Sequence, residues 1–406
     1  MASGLRTASR QRSGFRFLKS RSGPLLIWHL ITGEYPPDIG GVGDYTQQLG
    51  EAFSRCGDEV HVWAPPNFSP TVAAGSVQVH RLPDYFGPQS ILAMDRGIDQ
   101  RPHARVLIQY VPHAFGWKAM NVPLCVWLAT RQRERLGVMF HEVAYPISRD
   151  QPMRHNFLGV VTRAMAAILA RSARRIFVTT SAWEPMLRSI SRTRKPIQCV
   201  PTFSNIPVVE DEAGANAIRR RVAPDGGKIA GHFGAYGSVY AAGASALVAA
   251  GLEQDTSLAV LLIGNGGTEF RARMLASHPA FASRLHATGP LAPEDVSRSI
   301  AACDLMLQYY PDGVSTRRTS CMAALEHGRP VITTSGHLTE PLWQESRAIA
   351  LVPANDLPAM AAVVHRLAGD GDERQRLGAA ARDLYDRRFD IRHTVTALRA
   401  SFNGTV

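Results

Sequence analysis

Short apolar runs alternate with longer amphipathic stretches along most of the chain. Runs at 25–31, 59–64, 77–82, 106–111, 138–141 and 176–180 have the length of strands, while 44–55, 157–174 and 182–190 carry helical spacing. The pattern breaks at 200–227, where Pro201, Pro207, Pro224, Gly226 and Gly227 surround a mixed-charge segment. It restarts with apolar runs at 229–233, 258–263, 284–287, 305–309, 330–334 and 348–352, separated by helical patterns at 241–251, 268–277, 293–301, 317–327 and 356–367. Strand and helix in alternation predict an α/β protein with two doubly wound parallel sheets, whose ligands bind beyond the carboxyl ends of the strands. The expected division is a disordered basic tail over 1–22, an N-terminal Rossmann-like domain over 23–206, a linker over 207–227, a C-terminal Rossmann-like domain over 228–385 and a helix over 386–406 packing back on the first domain.

Composition narrows the class. With 406 residues, 45% hydrophobic and 19% charged, the chain is too long for one ordinary core and too apolar to be disordered. No run of eighteen apolar residues occurs, and no apolar stretch follows the N-terminal charges, so neither a membrane span nor a secretory signal is expected and the cytoplasm is the predicted compartment. Of the formal charge of +11, six come from Arg6, Arg10, Arg12, Arg16, Lys19 and Arg21. The modest remainder suits nucleotide phosphates or an anionic membrane surface, and the lack of basic and aromatic interleaving argues against nucleic acid. Five scattered cysteines without a Cys-x-x-Cys pair argue against a disulfide framework or a metal site, and nothing points to a cofactor.

Three segments carry candidate chemistry. The first strand runs through Gly33, Tyr35, Gly40, Gly41 and Gly43 into a helix beginning near Asp44 and Tyr45, a turn whose backbone amides are able to approach an anion. It is neither a dinucleotide fingerprint nor a Walker loop. His141 and Glu142 stand at the end of a strand, where side chains reach a binding crevice or simply fill its edge. Ser315, Thr316, Arg317, Arg318 and Thr319 lead into a helix, and two arginines beside a helix N-terminus oppose its dipole unless an anion sits there. Gly234, and Gly264 with Asn265, close two further strands of the second half.

In their order these pieces resemble the GT-B glycosyltransferases and, within them, the retaining glycosyltransferase family four. YPPDIGGVGDY is similar to the family's acceptor-side glycine loop, FHEVAYP to its His-Asp-x-x-Pro segment and VPTFSNI to its inter-domain Pro-Asn-Gly-Val stretch; LLIGNGG and MAALEHGRPVITTSG resemble the nucleotide-sugar half. The resemblance implies two Rossmann-like domains facing across a cleft. It also implies transfer of a sugar from a nucleotide diphosphate sugar to a glycan, glycolipid or small-molecule acceptor, with retention and without a metal. On it, His141 and Glu142 are the catalytic candidates, Tyr35, Asp44 and Tyr45 bind acceptor, and Gly41, Gly43, Gly234, Gly264, Asn265 and residues 315–319 bind donor.

The chain departs from that pattern where the donor is held. GAYGSVY lacks the family's Arg and Lys, and Ser315 and Ala323 stand where its two glutamates are expected. Arg317 and Arg318 are the expected replacement for the phosphate clamp. A catalytically silent GT-B nucleotide-binding or assembly protein is therefore the alternative function, and a nucleotide-sugar epimerase of the same architecture a third. Peripheral membrane contact is expected from the basic tail and from Arg163, Arg171, Arg174 and Arg175, which border the apolar helix over 157–170.

Overall fold

The computed structural model describes residues 25–38, 40–67, 77–234 and 236–403; the expected tail over 1–22 lies outside them. The described chain divides into two compact units, residues 25–205 with 391–403, and residues 206–390.

In the first unit, β1 (Ile27–Thr32), β2 (Glu59–Ala64), β3 (Val77–Arg81), β4 (Arg105–Tyr110), β5 (Leu136–Phe140), β6 (Arg175–Val178) and β7 (Ile197–Cys199) form one sheet in the order β3-β2-β1-β4-β5-β6-β7, with every pairing parallel. Its helices are α1 (Gly41–Arg55), α2 (Pro88–Asp99), α3 (Val122–Arg131), α4 (Met153–Ser172) and α5 (Trp183–Ser191). β1, β2 and β4 bury all but their first residue and β5 is buried throughout, which is why these strands read as continuous apolar runs. The strand order reverses between β1 and β4, the position where open α/β sheets leave a crevice.

The second unit repeats the plan. β8 (Ile229–Phe233), β9 (Ala259–Ile263), β10 (Leu285–Ala287), β11 (Leu305–Gln308), β12 (Val331–Ser335) and β13 (Ala350–Pro353) form a parallel sheet ordered β10-β9-β8-β11-β12-β13, reversing between β8 and β11. Around it lie α6 (Glu212–Val222), α7 (Ser238–Gln254), α8 (Gly267–Ser277), α9 (Pro293–Ala302), α10 (Thr319–Glu326), α11 (Pro341–Ser346), α12 (Leu357–Gly369) and α13 (Gly371–Arg388). α14 (Ile391–Asn403) then belongs to the first unit. There Phe402 meets the Trp28 ring edge-on at 5.3 Å, Arg399 pairs with the buried Asp58, and Arg175 Nε donates to the Ser401 carbonyl at 2.6 Å.

The structure departs from the sequence pattern in several places. Residues 207–227, expected as the linker, contain α6, capped by Asp211 and packed on α9, and only Ala215 and Val222 of that helix are buried. α2 and α3 were not legible as helices. α10 begins at Thr319 rather than 317, since Arg318, its N-cap, has extended backbone (φ −90°, ψ 90°).

Candidate functional site

The first unit builds its site at the β1/β4 reversal. Gly33 lies so close to Ala114 that a Cβ there would collide, and the chain then turns through Glu34 and Tyr35 into α1. Gly40 gives α1 no side-chain cap. Glu34 supplies one instead: its Oε1 accepts from the backbone N–H of Val42 at 2.7 Å and of Gly43 at 3.0 Å, and a Cβ on Gly40 would strike this carboxylate. A carboxylate at a helix N-terminus is favourable for both hydrogen bonding and dipole. The amide of Gly43, a donor-binding candidate, is thus already bonded within the protein. Gly41 has open space around it.

Tyr35 is buried under the Arg81 guanidinium, 5.6 Å from its ring, and burial pushes its phenol up to about 12. Burial likewise raises the Asp44 carboxyl, which accepts from Asn205 Nδ2 at 3.2 Å. Tyr45 is enclosed, stacked on Phe203 at 4.5 Å and edge-on to His141 at 4.9 Å. His141 is 7% exposed, and burial alone pushes its imidazole down to about 3. Its Nε2 lies 2.8 Å from Gln109 Oε1, which only accepts, so Nε2 carries the ring proton and Nδ1 is left as an acceptor. His141 is thus a neutral hydrogen-bonding group at pH 7. Glu142 turns away to a half-exposed position 3.8 Å from His113.

The second unit has a cavity of about 190 Å³ at the β8/β11 reversal, lined among others by Gly234, Tyr240, Tyr309, Arg317, Arg318 and Thr319. Asp312 carries both arginines: Arg317 Nη2 lies 2.6 Å from Oδ2, and Arg318 Nη2 binds Oδ1. The two positive charges therefore have an internal counter-ion, which answers the argument that only a bound anion explains them. Arg318 also donates to the Tyr240 hydroxyl at 3.0 Å and lies 4.6 Å from the Tyr310 ring centroid. Buried atoms of the lining residues, among them His232 Nδ1, Gln308 Nε2 and Arg318 Nε, have no hydrogen-bond partner among the described residues. Buried polar groups are nearly always satisfied by protein or ordered water, so these atoms call for a water or a polar ligand in the cavity.

The remaining donor candidates are divided. Thr316 points away from the cavity, giving its N–H and hydroxyl to the buried Glu340, which also takes Trp343 Nε1 at 2.8 Å. Ser315 is fully buried, and neither it nor Ala323 lines the cavity. Gly264 is held by Thr288, exposed Asn265 follows it, and neither lines the cavity. His232, Gln308 and the tyrosines were missed because on β8, on β11 and at the start of α7 they read as ordinary strand and helix residues.

On α4, Met153, Phe157 and Val160 are 88%, 62% and 57% exposed, one face at helical spacing, and exposed Ile147 precedes them. Arg149 and Arg154 flank this patch. The basic residues expected there are engaged: Arg163, Arg171, Arg174 and Arg175 donate to the backbone carbonyls of Tyr145, Ser191, Glu134 and Ser401. Among the described residues no helix is long and apolar enough to cross a membrane.

No family model and no curated protein matches the sequence. Solved structures do match. Sucrose-phosphate synthase from Thermosynechococcus elongatus is similar at 18% identity and a TM-score of 0.70, over 92% of this chain and 98% of that one. HepE from Anabaena, in complex with UDP and glucose, is similar at 15% identity and a TM-score of 0.68, over 92% and 98%. WaaG, a glycosyltransferase involved in lipopolysaccharide biosynthesis, is similar at 14% identity and a TM-score of 0.64, over 94% and 100%. With two doubly wound parallel sheets and likeness along nearly its whole length to these enzymes, the chain has the α/β GT-B fold.

Proposed function

We propose that this protein is a glycosyltransferase that takes a nucleotide diphosphate sugar on its 206–390 unit and an acceptor on its other unit. The observation that carries the reading is the cavity at the β8/β11 reversal, which brings Arg317 and Arg318 together with the unsatisfied His232 Nδ1 and Gln308 Nε2. Likeness to structures solved with UDP and UDP-glucose supports it. At about 190 Å³ the cavity is smaller than the ~300–1,000 Å³ usual for whole ligands, so it takes only part of the donor.

In this reading Arg317 and Arg318 offset the charge that grows on the leaving diphosphate, while Gly234 and Thr319 border it. Together two guanidinium groups offer ten N–H donors, of which Asp312 and Tyr240 occupy only a few. Neutral His141 accepts a hydrogen bond from a sugar hydroxyl through Nδ1 and does not act as a proton donor at neutral pH. Transfer proceeds with retention and without a metal, as the family resemblance implies. Calorimetry with UDP, GDP and their sugars tests the assignment. Arg317→Gln with Arg318→Gln should weaken nucleotide diphosphate binding at least ~10-fold, as loss of charge-assisted bonds worth ~1.5–3 kcal/mol requires; unchanged affinity would overturn it.

A catalytically silent nucleotide-binding protein is the second reading, favoured by Ser315 and Ala323, which place no carboxylate at the two positions the family resemblance makes acidic. Donor binding without hydrolysis or transfer to any acceptor would support it. For the acceptor, we propose one presented at an anionic lipid surface, met by the exposed α4 patch and its arginines. Sedimentation with anionic vesicles should fall with salt and with Phe157→Ser; a chain that stays in the supernatant at low salt points to a soluble acceptor.

A further inference from the structure

The 206–390 unit has a second basic cavity, of about 480 Å³, lined by Asp304, Arg329, Gly371, Arg374 and Arg382 among others. Asp304 and Arg329 lie just before β11 and β12, so this cavity is at the amino ends of the strands, whereas the arginine cavity described above is at their carboxyl ends. One wall is a face of α13 that repeats through Gly371, Arg374, Gly378 and Arg382. Gly378 rests against the Gly328 carbonyl with no room for a Cβ, which brings the helix backbone in beside the start of β12.

The charges here are left open. Asp304 is already committed, accepting from the Ile229 N–H at 2.8 Å and pairing with Arg219 at 3.0 Å. Each arginine is anchored through one arm on backbone carbonyls: Arg329 on Cys303 at 3.0 Å, Arg374 on Leu367 and Ala368 at 2.6 and 2.7 Å, and Arg382 on Glu326 at 2.5 Å. Arg382 also pairs with Asp386 at 3.0 Å. Among the described residues no carboxylate pairs with Arg329 or Arg374, and Arg329 Nε is buried without a hydrogen-bond partner. Nearby His327 is pushed down to about 4, by burial first and then by Arg329 and Arg382. Arg329 and Arg374, each anchored through one arm and with no carboxylate at salt-bridge distance among the described residues, are pre-organised for an oxyanion, which would meet the nearby Asp304 carboxylate as its one acidic neighbour in the lining.

We infer that this cavity binds a phosphorylated small molecule, at a site separate from the one proposed for the donor. Its volume falls in the ~300–1,000 Å³ range of small-ligand pockets. The inference stands whether or not the chain transfers sugar.

Calorimetry on the full chain at fixed ionic strength, with inorganic phosphate, glucose 6-phosphate and glucose, tests it. Phosphate and glucose 6-phosphate should still bind the Arg317→Gln, Arg318→Gln variant, in which the donor cavity is disabled, and glucose should not; the changes below are made in that background. Arg329→Gln with Arg374→Gln should weaken both phosphates at least ~10-fold. Gly371→Glu serves as a second variant, because a Cβ there meets only Arg374 Nη2, at 3.6 Å, and an acid in the first turn suits the helix. It should abolish binding by placing a carboxylate beside Arg374. No phosphate binding by wild type at millimolar concentration, binding lost in the Arg317 and Arg318 variant, or undiminished binding in Gly371→Glu would each overturn the inference.

Discussion

Each unit sets one of its own carboxylates where an outside anion is expected, and the two arrangements differ in what is left over. Glu34 faces backbone amides at the start of α1, and the two N–H groups it takes are spent. Asp312 faces two guanidinium groups with far more donors than one carboxylate fills, next to a cavity ringed by unsatisfied atoms. Similar electrostatics thus closes one loop and leaves the other receptive. The number of donors that remain decides which loop is a binding site.

The largest effect expected from breaking this contrast is on stability. Glu34→Ala leaves the Val42 and Gly43 amides unpaired and should lower unfolding free energy by about 1–3 kcal/mol in urea denaturation, with no change in nucleotide affinity. Glu34→Gln, which keeps an acceptor, should recover most of the loss. If Glu34→Ala instead tightened nucleotide binding, α1 would be a ligand site and the contrast would fail.

A second test uses one neutral histidine from each unit. His141 and His232 are pushed by burial down to about 3 and about 4. As pH falls below 6.5 the unfolded chain takes up a proton at each that the folded chain refuses, so stability should fall down to about pH 4 and be unaffected above 6.5. Each site contributes a slope of about 1.4 kcal/mol per pH unit. His141→Gln and His232→Gln should each flatten the urea midpoint against pH by one proton. A nucleotide that donates to His232 Nδ1 should not alter the His141 share.

The smallest effect sharpens the arginine side. Asp312→Asn removes the internal competitor and should raise nucleotide diphosphate affinity about threefold to fivefold by calorimetry, under 1 kcal/mol. Weaker binding would make Asp312 a residue that positions the arginines.

Much of the fold was legible because parallel strands buried on both faces, such as β5 and β9, are unbroken apolar runs. The missed helices lacked that contrast. α2 buries only Ser90, Met94 and Ile98, its Gly97 making room for Trp63, and α3 opens with a proline that reads as a break although Asn121 caps it. At the site, Gly234, His141 and the arginine pair stood out by type and place. The roles of Glu34 and Asp312 did not, because each depends on a turn that folds a carboxylate back eight or nine residues, or five or six, onto its partners. Such distances have no helical or strand period to reveal them.

The return of α14 to the first unit bears on how the protein is made. Trp28, stacked on Phe53 at 4.4 Å, gains its edge-on contact with Phe402 only when the last helix arrives, and buried Asp58 gains Arg399 at the same moment. A ribosome that has released residues 25–205 has produced a sheet still missing part of its cover, while 206–390 emerges uninterrupted. The unit begun first is therefore the one finished last during synthesis, and a chain stopped after Asp390 carries an intact second unit beside an exposed aromatic surface on the first.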